Sequence, residues 1–419
     1  MPPATPPAAA KSAPPVGRWY ARLVSSPDHP VEFEILVEKK GGALSATLVN
    51  DTARTPFTTA VWDGLKLTLE LSHYDARISA EPRNGALAGR YTRTTASGLA
   101  EVPFFATLAA PSLTKAVSNV SSAAAPSIEG AWAFEIAEGP SPTKATGVFR
   151  QNGVEAAGTL LTTAGDYGAL HGTFDGERLV LCVFDGVHVY RFDGELLPDG
   201  TLAGEFRSRA NPPAGWRATR LVAAAAAANL PGGFSIVRPK DPAAPYVFSF
   251  PGPDGRMVSS FDARFAGKPM LVTFMGTWCP NCADEAPVLR DLYSRYRRQG
   301  LEIVSLSFEY TDDIERNRRQ VKRFVERFRI EHPVLIAGTT KEAPASPATA
   351  PLEGWEGYPT TLFLDKDHRI VKIHSGFDGP ATGEGFKKLK KEMEDEVRKL
   401  LGLEASEFTV PDSTSLGLR

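Results

Sequence analysis

The sequence predicts a multidomain chain: an N-terminal all-β tandem repeat, barrel- or sandwich-like, followed by a C-terminal α/β domain. Three observations carry this. The first 222 residues match themselves at a nearly constant offset. Apolar patterning then changes from strict alternation to continuous runs separated by helical periodicity. Low-complexity stretches fall where the character changes.

The repeat rests on three anchor pairs. Gly17-Arg-Trp19 matches Gly130-Ala-Trp132, Trp62-Asp63-Gly64 matches Phe174-Asp175-Gly176, and Gly85 to Gly89 matches Gly200 to Gly204. The anchors Trp19/Trp132, Asp63/Asp175 and Gly89/Gly204 lie 113, 112 and 115 residues apart. Both copies alternate apolar and polar residues over short runs. In Leu65 to Leu71 this places four leucines on one strand face. Others are Val31 to Val37, Ala43 to Val49, Ala86 to Arg93, Val187 to Phe192 and Leu202 to Arg207. Turn residues recur about every ten positions, giving roughly seven or eight antiparallel strands per copy. The pattern does not choose between two small units and one larger pseudo-symmetric sheet.

These breaks divide the chain into a disordered Pro/Ala tether (1–15), β-rich repeat 1 (16–108), a linker (109–127), β-rich repeat 2 (128–222), a second linker (223–244), the α/β domain (245–403) and a tail (404–419). Met1 to Pro15 lacks the apolar core of a secretory signal.

In the α/β domain, Met270 to Phe274 is a continuous apolar run fit for a strand buried on both faces. A helix pattern follows from about Ala283 to Arg298, then a second buried strand, Leu301 to Leu306. A second amphipathic helix spans about 312–329, its arginines and lysines opposite an apolar face and read as solvated. Val334 to Ala337, Thr361 to Leu364 and Ile370 to His374 complete the strands. A charged helix runs from about Glu384 to Leu401. The Pro/Ala-rich insertion from Thr339 to Glu353 reads as a flexible loop near the site.

The balance of 47 basic against 49 acidic residues leaves a net charge of -2 and no reason to expect nucleic-acid binding. No apolar run reaches the ~18 residues that span a bilayer, so stable membrane insertion is not expected. Three cysteines are too few for a disulfide scaffold. Cys182 sits in the apolar run Leu179 to Phe184 and reads as a buried free thiol. Trp19, Trp62, Trp132, Phe149, Phe174 and Tyr190 read as core. No histidine spacing supplies a metal site.

Chemistry concentrates in Trp278-Cys279-Pro280-Asn281-Cys282, where the first buried strand passes into the first helix. A thiol at a helix N-terminus faces unpaired N–H groups and the positive end of the macrodipole, which stabilise a thiolate. The thiolate attacks disulfides. Cys279 is therefore read as the nucleophile and Cys282 as the residue that resolves the mixed disulfide. No cofactor is called for.

The run from Gly267 to Cys282, followed by Glu285-Ala-Pro287, resembles the TlpA/ResA branch of thioredoxin-like proteins. Gly357 to Asp365 and Ser375 to Gly383 do so too. The resemblance covers 245–403 and implies a thioredoxin-like fold with thiol–disulfide exchange. It implies a cis-proline at Pro359, with Trp278, Tyr358 and Pro359 binding an extended partner chain, and a kinking proline at Pro287. Glu285 takes the place of an acidic residue near the thiols, where a raised pKa would let it shuttle the Cys282 proton. Thr273 stands where thioredoxin keeps a buried acid.

The resemblance further implies an extracytoplasmic, periplasmic-type setting, protein disulfides as substrates, and a membrane thiol reductase as electron donor. Two other readings stay open. One is a redoxin-type thiol peroxidase, which shares the Phe265-Ala-Gly-Lys-Pro269 lead-in. The other is a β-domain binding protein with an accessory thioredoxin-like module.

Overall fold

The computed structural model describes residues 13–109, 126–139, 141–209, 211–222, 237–355 and 357–403. The expected tether up to residue 12, most of both linkers and the tail lie outside them.

The β region forms two separate antiparallel sheets. The first runs in the order Ala53–Pro56, Ala43–Asn50, Val31–Lys40, Gly17–Leu23, Gly98–Thr107, Ala86–Thr95, Ala76–Arg83, Leu67–Leu71, Thr59–Trp62. Its edges are bridged where Phe57 N–H donates to the Ala46 carbonyl (2.9 Å) and Thr58 N–H to that of Glu70 (2.7 Å). In the second, Thr143–Asn152 pairs with both Gly130–Ile136 and Glu155–Thr162, closing a barrel. Alternation explains the inward faces: Val31, Phe33, Ile35 and Val37 are buried along one strand. Leu67, Leu69 and Leu71 behave likewise. Leu65 does not, because Asp63 caps the turn there by accepting the N–H groups of Leu65 and Lys66, each at 2.8 Å.

The anchor pairs make matching contacts. The indole N–H groups of Trp19 and Trp132 donate four residues back, to the carbonyls of Pro15 (3.0 Å) and Ile128 (2.8 Å). Asp63 and Asp175 cap equivalent turns. A Cβ on Gly89 or Gly204 would lie 1.9 Å from a carbonyl oxygen of the neighbouring strand, so neither position accepts a side chain. Cys182 is a buried free thiol, pushed up to about 11 by burial.

The C-terminal unit is a five-stranded mixed sheet in the order Val334–Thr339, Glu302–Glu309, Met270–Met275, Thr360–Leu364, Ile370–Ser375. The Met270–Met275 strand pairs parallel with Glu302–Glu309 and antiparallel with Thr360–Leu364. One core, with Tyr246, Phe274 and Phe308, covers one face of this sheet. The active-site helix, Pro280–Tyr296, and the C-terminal helix, Glu384–Leu400, supply Leu289, Leu292, Leu389 and Val397 to the other. Together these are the expected architecture, an all-β N-terminal region followed by a thioredoxin-like domain.

Three expectations change. The end of the second linker, from residue 237, packs with the α/β unit: Arg238–Pro239 pairs with Leu352–Glu353, and Val237 is buried. The insertion read as a flexible loop is packed, with Ala343 and Ala348 buried. The charged face of the second helix, Ile314–Phe328, is docked in part, while Arg319, Lys322 and Arg323 stay exposed as expected. Arg316 Nη2 meets Asp75 at 2.9 Å, and Arg327 and Gln320 donate to the carbonyls of Pro56 (3.1 Å) and Ser72 (3.2 Å). Periodicity identifies a polar face but not the partner opposite it.

Candidate active site

The central strand ends in a loop held from its neighbour. Buried Glu309, on the next strand, accepts the Thr277 N–H (3.1 Å), the Thr277 hydroxyl (2.7 Å) and the Ser307 hydroxyl (2.7 Å). Trp278 Nε1 donates to the Phe308 carbonyl at 2.8 Å. Its ring stacks on Tyr310 (4.4 Å) and meets Tyr358 edge-on (5.4 Å). Cys279 is thereby fixed as the N-cap of the Pro280–Tyr296 helix. Pro280 follows at a position whose missing N–H costs nothing. Cys279 Sγ accepts the Cys282 N–H at 3.2 Å, and the Tyr358 carbonyl lies 4.0 Å away. The Tyr358–Pro359 peptide is cis, and Pro287 lies inside the helix. Cys279 and Cys282 are free thiols.

Behind Cys282, Glu285 is buried, its Oε2 accepting from Thr273 Oγ1 (2.9 Å) and its Oε1 from Thr361 Oγ1 (2.6 Å). Burial pushes this carboxyl up to about 7, against the pull of the two hydroxyls. Cys282 is held well above the usual thiol range, first by burial, then by its hydrogen bond with Cys279 and the nearby charges of Cys279 and Glu285. Thr273, replacing the expected strand acid, serves as a donor to an acid on the helix.

The β region closes over this pair, leaving Cys279 and Cys282 only 4% and 2% exposed. From the first sheet, the turn Ser72–Tyr74 packs into the same apolar cluster as both cysteines. Arg93 Nη2 donates to the Trp278 carbonyl at 3.3 Å. From the second, Gly165 lies so close that a Cβ would sit 2.1 Å from Asn281 Nδ2. Asp166 accepts the Gly379 N–H at 2.5 Å. Asp284, one residue before Glu285, is held well above the carboxylate range by burial and by Asp166 and Asp185.

The structure thus brings together Trp278, Cys279, Cys282, Glu285, Tyr358 and Pro359. It adds Glu309, Tyr310, Arg93, Asp166 and Asp284, which the sequence reading did not select. Glu309 and Tyr310 end a buried strand beside the motif, a position that would have flagged them. Arg93 and Asp166 arrive from other sheets; the one local signal is that Arg93 is a charge on the inward face shared by Leu87 and Tyr91.

A model of the AhpC/TSA family matches residues 241–373. Thiol-disulfide oxidoreductase ResA of Bacillus cereus is 31% identical over 133 residues, 32% of this chain and 68% of the relative. That of Bacillus anthracis is 30% identical over 135 residues, covering 32% and 69%. Through its C-terminal domain, the chain belongs to the ResA family of thiol-disulfide oxidoreductases. Among solved structures, a thioredoxin-family thiol:disulfide interchange protein from Chlorobium tepidum shares 24% identity at a TM-score of 0.31, covering 39% of this chain and 98% of its own. StoA from Bacillus subtilis shares 20% at 0.26, covering 36% and 99%. The family-model match begins at 241, so the two β sheets lie outside it. The ResA-like domain is a thiol-disulfide oxidoreductase; the β region that covers its cysteines is an addition to it.

Proposed function

We propose that the protein reduces disulfides of partner proteins through Cys279 and Cys282, with the tandem β repeats controlling what reaches the pair. The observation that carries this is Cys279 Sγ at the helix N-cap, 3.2 Å from the Cys282 N–H, with Glu285 buried on the next turn. Cys279 attacks one sulfur of the target and expels the other as a thiolate. Cys282 then attacks Cys279 Sγ, its proton passing to Glu285. The second substrate thiol leaves, and the protein is left with a Cys279–Cys282 disulfide.

The Tyr358 carbonyl beside Cys279 supports pairing with an extended chain, with Trp278 and Pro359 flanking it. The matching anchors of the two sheets support a duplicated β unit. A membrane thiol reductase is the electron donor this reading calls for, in an extracytoplasmic, periplasmic-type setting. No described helix is long and apolar enough to cross a membrane.

The test is insulin-disulfide reduction assayed beside peroxide consumption. Reduction that requires both cysteines, with no cysteine-dependent peroxide turnover, is the expected result. Peroxide turnover without insulin reduction would instead favour a thiol peroxidase.

A further inference from the structure

Arg93 reaches the redox pair without an acidic partner, and Arg209 lies near enough to feel the charges of Arg93 and Tyr310. Arg93 leaves the strand Ala86–Thr95 of the first sheet and is 3% exposed. Its Nη2 donates to the Trp278 carbonyl, its Cζ lies 5.6 Å from the Tyr310 ring centroid, and it hydrogen-bonds the Tyr310 side chain. Its Nε has no partner. Arg209 directly follows the strand Leu202–Ser208 of the second sheet, and its buried Nη1 is also unpartnered. Arg209 is half-buried; burial lowers its proton affinity, and the nearby Arg93 charge lowers it too. Among the described residues, neither forms an ion pair. Neighbouring arginines do: Arg191 holds Asp193, Arg207 holds Glu205 and Arg316 holds Asp75. The nearby acid Asp185 is occupied by His188 at 2.7 Å.

Holding two like charges near one another, one buried and one half-buried, without a counter-ion is unfavourable. The planar fork of a guanidinium matches a carboxylate, which would satisfy both open N–H groups. Arg93 is bound to the carbonyl of the residue before Cys279, so an anion held on its guanidinium would be near the attacking sulfur. We propose that Arg93 and Arg209 form a carboxylate-binding site that selects disulfides bearing a negative charge next to the sulfur that Cys279 attacks. This rests on Cys279 being the nucleophile. The two electrons come from the reduced Cys279/Cys282 pair. The substrate S–S bond breaks, its two sulfurs leave as thiols, and Cys279–Cys282 becomes the disulfide.

The test is single-turnover oxidation of the reduced full-length protein by three small disulfides: dithiodipropionate (anionic), dithiodiethanol (neutral) and cystamine (cationic). Two disulfide peptides, flanked by Asp or by Lys, form a further arm. The expected order is anionic, neutral, cationic, with an anionic-to-neutral rate ratio of about ten that falls with salt. Arg209→Gln lowers that ratio toward one; it is substituted because Arg93 also holds Trp278. A charge preference among the small disulfides assigns the site to small carboxylates, and one confined to the peptides assigns it to acidic protein segments. Rates independent of charge in both arms, or a ratio unmoved by Arg209→Gln, would overturn the proposal. If no disulfide reacts, the exchange reading itself fails. The anion site is then decided by calorimetric titration of the Cys279→Ser/Cys282→Ser protein with dithiodipropionate. Binding lost with Arg209→Gln upholds it, and no binding overturns it.

Discussion

Thr361 Oγ1 donates to Glu285 Oε1 at 2.6 Å, joining the strand that follows Pro359 to the helix that carries Cys282. With Thr273 on the other oxygen, the carboxyl is fixed beside the thiol it is proposed to serve. Burial raises its pKa to about 7, so it changes charge near neutrality, where a proton acceptor for a thiol works best.

Glu285→Gln removes that acceptor. The rate of the second exchange step rises with pH through about 7 in the native protein as Glu285 ionises. In the variant that limb disappears, and the rate at pH 7.5 falls at least about tenfold. Thr361→Val, which takes a donor from the carboxylate, moves the limb upward instead. Stopped-flow pH profiles of Trp278 fluorescence check both. A limb unchanged in Glu285→Gln would assign the proton to another group.

Stability carries the same titration. A carboxyl whose pKa is higher folded than unfolded binds its proton more tightly in the native state. Its contribution is full below the unfolded value near 4.5 and is lost as pH rises through about 7. For Glu285 this amounts to about 3 kcal/mol. Asp378, raised by burial to about 6, acts in the same direction. Thermal denaturation from pH 4.5 to 8 should show Tm falling, with a flatter curve for Glu285→Gln. Parallel curves would place the stability change elsewhere.

Gly165 seats the second sheet on the active-site helix. Its φ of 125° and the 2.1 Å approach of a Cβ to Asn281 Nδ2 both oppose a side chain. Gly165→Ala should loosen this contact and raise the iodoacetamide alkylation rate of Cys279 by about tenfold, since local opening governs access to a buried thiol. Adding Asn281→Ala should restore part of the protection. An unchanged alkylation rate in Gly165→Ala would mean that the sheets do not limit access.

Much of the C-terminal domain was legible because its signals are local. A continuous apolar run marks the central strand, and a Cys-x-x-Cys at a strand-to-helix junction marks the chemistry. The alternation of Val31 to Val37 likewise announced a half-buried strand. What could not be read is the assembly of these parts. Asp75 meets Arg316 across 241 residues of chain, and Asp166 reaches Gly379 across 213. Each lies in a loop or strand end whose neighbours carry no pattern pointing to a distant domain. For the same reason the polar face of the second helix looked solvated, and Arg93, in register with the buried Leu87 and Tyr91, had no neighbour in sequence to name the distant loop it meets.

The central claim is that Cys279 attacks and Cys282 resolves. Its most direct measurement is peptide mass spectrometry of the Cys282→Ser protein after reaction with a disulfide-bonded substrate. The account predicts a stable mixed disulfide on Cys279, absent from Cys182 and lost in the Cys279→Ser/Cys282→Ser protein. Adducts on Cys182, or none on Cys279, would contradict it.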